Sequence, residues 1–276
     1  MIVEYLKRNE LNVANMMNFS AIDGLIMDMD GVLWRGDVPL PGMTELFAFL
    51  RARAIPFALA TNNSSKSQLD YVNKLAGLGV TGIEERQIVT SGTATVDYLL
   101  SHYPAGTAVH VLGGDGLKRM IAAAGFPLSD QAGVVVAGID TGLTYDKLKR
   151  AAYLIQAGAD FIGTNDDVTF PMPDGLAPGA GSILAALQAA TGRTPLVMGK
   201  PGAAMFEAAL RVISVAADRA LMLGDRLNTD IIGAQRAGLK AALVLTGVST
   251  RAEAEQAAPD AIYNDLHEFL DAWSRT

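Results

Sequence analysis

The sequence predicts an α/β fold built on a parallel sheet, with a second α/β domain inserted into the first. Three observations carry this. Short apolar runs alternate with longer amphipathic stretches, the pattern of repeated strand–helix units. The chain has 276 residues, 50% of them hydrophobic and 18% charged, which is enough apolar material for two cores. The residues able to do chemistry fall just after the strands, where open parallel sheets place their ligands.

Taken in order, Leu25-Ile26-Met27 is the first strand and ends in Asp28-Met29-Asp30-Gly31. A helix follows from about Gly42 to Arg53, with Leu46, Phe47, Phe49 and Leu50 as its apolar face. Phe57-Ala58-Leu59-Ala60 is the second strand and ends in Thr61-Asn62-Asn63-Ser64. Ser65 is placed to cap the next helix, which carries Leu69, Val72 and Leu75. Ile88-Val89-Thr90 is a third strand, before a helix through Val96, Leu99 and Leu100. The middle of the chain repeats the pattern. Val109–Leu112 leads through the turn Gly113-Gly114-Asp115-Gly116 to a helix over Leu117–Ala124. Val134-Val135-Val136 leads to a helix over Tyr145–Ala157, and Phe161-Ile162-Gly163 is a further strand. The polar, proline-marked stretch Asn165–Pro178 reads as a loop. Pro178-Gly179-Ala180-Gly181-Ser182 reads as the hinge and helix cap that return the chain to the first domain. The last third resumes the first pattern. Pro195–Met198 precedes Gly199-Lys200-Pro201, Leu221–Leu223 precedes Gly224-Asp225, and Ala242–Leu245 precedes Thr246-Gly247. The expected organisation is an N-terminal extension over 1–19, a core over 20–100 and 189–276, and an inserted domain over 101–188.

Composition narrows the function. A net charge of -7 argues against a nucleic-acid surface, which needs a basic patch, and favours a small-molecule partner. With no cysteine, disulfides, thiolate nucleophiles and thiolate-bound zinc are excluded. The histidines, His102, His110 and His267, are scattered, so a metal would be held by oxygen, which points to Mg2+. No run is long and apolar enough to cross a bilayer, and the polar Asn9, Glu10, Asn12 and Asn15 break the apolar block a signal peptide needs. No membrane partner and a cytoplasmic location are the expectations.

Asp28 and Asp30 flank a residue at a strand end, with Gly31 allowing a sharp turn. Asp225 follows another strand, with Asp230 close behind. Converging carboxylates repel by about 4 kcal/mol at 4 Å and an effective dielectric near 20, so such a site attracts a divalent cation. Thr61 offers a hydroxyl, and the backbone N–H groups of Asn62 and Asn63 can face an anion at a helix start. Lys200 is a strand-end cation, and Thr194, five positions before Gly199, rules out a P-loop. Singly these are the marks of turns, caps and a surface lysine. Together, and in this order, they supply a nucleophile, an acid/base, anion donors and a metal ligand, which is what phosphoryl transfer requires.

At these residues the chain resembles the haloacid dehalogenase superfamily. Its motifs are matched by Asp28-Met29-Asp30-Gly31-Val32-Leu33, by Thr61-Asn62-Asn63-Ser64, by Gly199-Lys200-Pro201, and by Gly224-Asp225-Arg226-Leu227-Asn228-Thr229-Asp230. The Asn-Asn pair, the inserted domain and Thr246-Gly247-Val248 resemble the branch of nitrophenyl, NagD-type nucleotide, phosphoglycolate and pyridoxal phosphate phosphatases. The resemblance implies a Rossmann-like core with an inserted α/β cap of the C2 type that reads the leaving group. It implies that Asp28 forms an aspartyl-phosphate, that Asp30 acts as acid and then base, and that Thr61, the Asn62 backbone and Lys200 hold the phosphoryl oxygens. Mg2+ would sit on the Asp28 and Asp225 side chains and the Asp30 carbonyl, with Asp230 supporting that shell. Asn63, Asn165, Asp166, Thr169 and Phe170 are the further candidates to touch substrate. A homodimer through the cap is expected. The presence of Asp30 speaks against a dehalogenase, and the lack of spanning helices against an ion-pumping ATPase. A non-catalytic phosphate binder and a phosphotransferase stay open, as does the choice of phosphorylated metabolite.

Overall fold

The computed structural model of the chain describes residues 17–63, 66–172 and 175–276. Most of the expected N-terminal extension, together with Ser64 and the expected cap Ser65, lies outside the described residues. The strands are β1 (Gly24–Met27), β2 (Trp34–Arg35), β3 (Val38–Pro39), β4 (Phe57–Thr61), β5 (Ile88–Thr90), β6 (Val109–Leu112) and β7 (Val134–Ala137). They continue with β8 (Asp160–Gly163), β9 (Thr169–Met172), β10 (Gly175–Pro178), β11 (Leu196–Val197), β12 (Ala220–Gly224), β13 (Lys240–Val244) and β14 (Ala261–Tyr263).

The chain forms two compact units. One is built from the chain up to Ala60, from Val72–Ile88 and from Ala209–Thr276; the other from Thr61–Tyr71 and Val89–Ala208. The first centres on a six-stranded sheet of order β14-β13-β12-β1-β4-β5. Its pairs β14–β13, β13–β12, β12–β1 and β1–β4 are parallel. Every residue of β1, β4 and β12 is buried, as expected where helices cover both faces of a parallel sheet and no strand needs a polar side. Phe19, the last residue of the expected extension, is buried and stacks on Trp273 at 4.9 Å. A small antiparallel hairpin, β2–β3, follows the first acidic motif.

The second unit holds a four-stranded parallel sheet of order β11-β8-β7-β6. Its buried side chains, among them Val135, Ala151, Ile155, Phe161, Ile183 and Leu187, form an apolar cluster between the sheet and the helices Tyr145–Gln156 and Ala180–Thr191.

Three readings of the sequence need correction. The stretch Asn165–Pro178 is not an irregular loop, because β9 and β10 pair within it as an antiparallel hairpin. Leu196–Val197 does not resume the first sheet but pairs with β8 in the second. The glycines of Pro178–Ser182 are not a hinge back to the first sheet. A Cβ on Gly179 would fall 2.3 Å from the Asp167 carbonyl oxygen, and one on Gly181 2.2 Å from that of Asp166, so these glycines let two backbones meet. The helix there begins at Ala180, and the Ser182 hydroxyl donates to the Val168 carbonyl instead of capping.

Candidate active site

The carboxylates collect in the first unit. Asp28 continues β1 by one residue, its N–H donating to the Leu223 carbonyl of β12 at 2.9 Å. Asp225 follows β12 directly, so adjacent parallel strands deliver the two side chains to the same carboxyl end of the sheet. Asp230 sits in a π-helical turn, Leu227–Ile231, that folds back on that end. All three are buried, and each offers an oxygen within 4.8 Å of the others. At that separation each ionised pair repels by roughly 3.5 kcal/mol for an effective dielectric near 20. Fixed backbone dipoles answer part of this. Asp225 Oδ2 accepts from the Val248 N–H at 2.8 Å. Asp230 Oδ2 accepts from the N–H groups of Asp225 and Arg226 at 3.2 and 3.0 Å. Space around the site is fixed by glycine: a Cβ on Gly247 would lie 1.8 Å, and one on Gly31 2.5 Å, from Asp225 Oδ2. Gly31 also has φ +89°, a left-handed conformation that side chains resist.

Asp30 is separate from this trio. It is exposed, and its Oδ1 accepts the Trp34 indole N–H at 2.8 Å. The Gly31 carbonyl accepts the Thr246 hydroxyl at 2.7 Å, and Arg35 donates to the Thr246 carbonyl.

The remaining candidates lie in the second unit. Thr61, buried, closes β4, and its Oγ1 accepts the Asn63 N–H at 3.1 Å. The Thr61 hydroxyl oxygen thus holds the Asn63 N–H in the turn that follows β4. The Asn62 side chain donates to the Lys200 carbonyl at 2.9 Å, while the Asn62 backbone carbonyl accepts from Ser91 Oγ at 2.7 Å and Asn165 Nδ2 at 2.9 Å. Lys200 is buried behind β11, whose pairing with β8 is extended by the N–H groups of Met198 and Gly199 donating to the carbonyls of Gly163 and Thr164. Asn165 also donates to Ser91 Oγ at 3.3 Å and accepts the Asp167 N–H at 3.2 Å. Its amide is thus spent on the protein's own groups. Asp166 and Thr169 are exposed; the Phe170 side chain lies outside the described residues. Desolvation by the chain around it lifts the Asp166 carboxyl above the ordinary aspartate range.

Residues 25–127 match the model of the haloacid dehalogenase-like hydrolases, and residues 197–269 match a second HAD-hydrolase-like model. An acid sugar phosphatase of Staphylococcus saprophyticus is 33% identical over 92% of this chain and 98% of that protein. The chain belongs to the haloacid dehalogenase-like hydrolases. Among solved members of that family, the 4-nitrophenylphosphatase of Thermotoga maritima is 36% identical with a TM-score of 0.84, covering 92% of this chain and 98% of its own. The glycerol phosphate phosphatase of Mycobacterium tuberculosis, solved in complex with magnesium, is 34% identical with a TM-score of 0.81, covering 91% and 77%. This hydrolase therefore stands among the phosphatases of its family.

The donor set of the haloacid dehalogenase-like site fits a hard cation. Buried oxygens at short mutual distance, with no sulfur or imidazole in the group, suit Mg2+ by ligand type. Sequence reasoning missed Trp34 and Ser91. Ser91 opens a helix after a strand and carries no signal beyond that, and Trp34 is one apolar residue among several in Val32-Leu33-Trp34. Among the described residues no helix is long and apolar enough to cross a membrane.

Proposed function

We propose that this chain is a magnesium-dependent phosphomonoesterase acting on small phosphate esters through an aspartyl-phosphate. The observation that carries the reading is the buried trio Asp28, Asp225 and Asp230 at the ends of adjacent strands β1 and β12. In this reading an Asp28 oxygen attacks phosphorus, and the bond from phosphorus to the leaving oxygen breaks. The electron pair stays on that oxygen, which takes a proton from the Asp30 carboxyl. Asp30, now a carboxylate, then takes a proton from the water that attacks the aspartyl-phosphate. The bond to Asp28 breaks, inorganic phosphate leaves, and both side chains are restored. One group serving as acid and then base is sound because its product state in one step is its reactant state in the next. Thr61 Oγ1, the Asn62 N–H and the Lys200 ammonium bind the phosphoryl oxygens.

Magnesium, when bound by the Asp28 and Asp225 carboxylates and the Asp30 carbonyl, supplies positive charge against the phosphoryl oxygens and the acidic cluster. Asp230 acts through its bonds to the Asp225 and Arg226 N–H groups, which fix the turn that carries Asp225. Substrate choice is assigned to the inserted domain, where Asp166 and Thr169 are exposed, and Asn165 becomes a brace for the Asn62 loop. The acid sugar phosphatase, 4-nitrophenylphosphatase and glycerol phosphate phosphatase among its relatives support a range of small esters.

The test is release of nitrophenol from p-nitrophenyl phosphate with Mg2+, with EDTA, and with Asp28→Asn. Turnover is expected to need the metal and to fall by roughly 10³-fold or more in the variant, as when a nucleophile is removed. Turnover indifferent to Asp28 would sink the mechanism.

A further inference from the structure

We propose that Trp34 is a positioning residue that holds the Asp30 carboxyl in its acid/base orientation and confines the transferred proton to Oδ2. The inference rests on the phosphatase reading and deepens it.

Asp30 is exposed, and an exposed aspartate side chain ordinarily samples several rotamers. Here it is tied to a rigid partner. The Trp34 side chain is fully buried, and its Nε1–H donates to Asp30 Oδ1 at 2.8 Å. The backbone closes the same loop: Gly31 N–H donates to the Trp34 carbonyl at 2.8 Å, and Trp34 N–H to the Met29 carbonyl at 3.3 Å. Lys74 Nζ lies 4.4 Å from the centre of the indole and is itself held by the Gly36 carbonyl at 2.7 Å and Asp37 at 3.5 Å. A cation over the ring withdraws electron density and makes the indole N–H a stronger donor.

The chemistry follows from what an indole can do. Its N–H donates and cannot accept. Asp30 Oδ1 therefore receives a hydrogen bond in both protonation states, and the proton that leaves for the ester oxygen, and later returns from water, resides on Oδ2. A hydroxyl or amide partner could reverse its role and let the carboxyl turn; indole cannot. The plain alternative is that Trp34 is a core residue whose N–H happens to find an acceptor.

The two readings separate on leaving groups. A nitrophenolate departs readily without a proton, whereas an alkoxide needs one. The value of kcat/KM reports steps up to departure of the leaving group, so the later work of Asp30 on water does not enter. Trp34→Phe keeps a ring and removes the N–H. Because Phe leaves a gap in a buried site, the second variant carries benzothienylalanine at position 34, which replaces the N–H by sulfur at nearly the same shape. In both, kcat/KM for glycerol phosphate is expected to fall roughly 10- to 100-fold while that for p-nitrophenyl phosphate falls less than about threefold, a part of the 10²–10⁴ that general acid catalysis supplies. Equal losses on the two esters, or no loss in the benzothienylalanine protein, would overturn the positioning role. A wild-type enzyme that cleaves neither ester would instead overturn the phosphatase reading, and the role of Trp34 with it.

Discussion

A carboxylate buried in a protein core is costly unless hydrogen-bond donors meet it, and Asp230 shows how the cost is met. It is fully buried, and its Oδ2 gathers the N–H groups of Asp225 and Arg226, which the π-helical turn leaves without helical acceptors. Asp230→Ala removes the acceptor from one buried donor, the Asp225 N–H, at about 1–3 kcal/mol, and from the part-buried Arg226 N–H at less, while relieving one like charge. The expected net is a loss of about 2 kcal/mol, read by urea unfolding in saturating Mg2+. A loss under about 0.5 kcal/mol would mean that Asp230 does not brace the turn. At this scale the sequence was informative about the clustering of Asp28, Asp225 and Asp230, because a strand followed by acidic residues is a local pattern. It was silent on Trp34 and Ser91, whose parts depend on a partner's orientation and not on spacing.

Elements were legible where one periodicity ran long enough. β1, β4, β7 and β12 are buried along their whole length, so each appears as an uninterrupted apolar run. The two-residue strands β2 and β3 are too short to carry any period. The β9–β10 hairpin contains Pro171 and Pro178, which argue against a strand, yet in a two-stranded ribbon each strand is an edge and tolerates them. Glycines in helices show the same dependence on surroundings. Gly116, in the first turn of the helix Asp115–Ala123, has nothing within 4 Å of an added Cβ, whereas Gly181 in the helix Ala180–Thr191 would press on the Asp166 backbone. Gly116→Ala is therefore expected to stabilise by about 0.5–1 kcal/mol through a less disordered unfolded chain. Gly181→Ala is expected to destabilise by about 1–3 kcal/mol, because the atoms it meets are main chain and cannot rotate away. Thermal melts of both variants by circular dichroism check the opposite signs, and equal signs would refute the packing account.

At the scale of the whole molecule, the acidic trio and both tryptophans, Trp34 and Trp273, belong to the same compact unit. Tryptophan fluorescence thus reports the stability of the unit that would bind the metal. An ion that binds the folded state and not the unfolded one stabilises by about 2.7 kcal/mol at a hundred times its dissociation constant. At about 2–4 °C per kcal/mol for chains of this size, saturating Mg2+ is expected to raise the fluorescence-detected midpoint by about 5–10 °C, reversed by EDTA. Asp225→Asn sharpens the test through a crossing. The asparagine keeps an oxygen for the Val248 N–H but removes one charge from a cluster whose pairs repel by roughly 3.5 kcal/mol. In EDTA the variant is expected to melt at or above the wild-type midpoint, since metal-free protein bears the repulsion in full. In Mg2+ the order is expected to reverse, since the wild type gains the ion and the variant has lost a ligand. Parallel shifts in the two proteins would show that the carboxylate cluster is not where the cation binds.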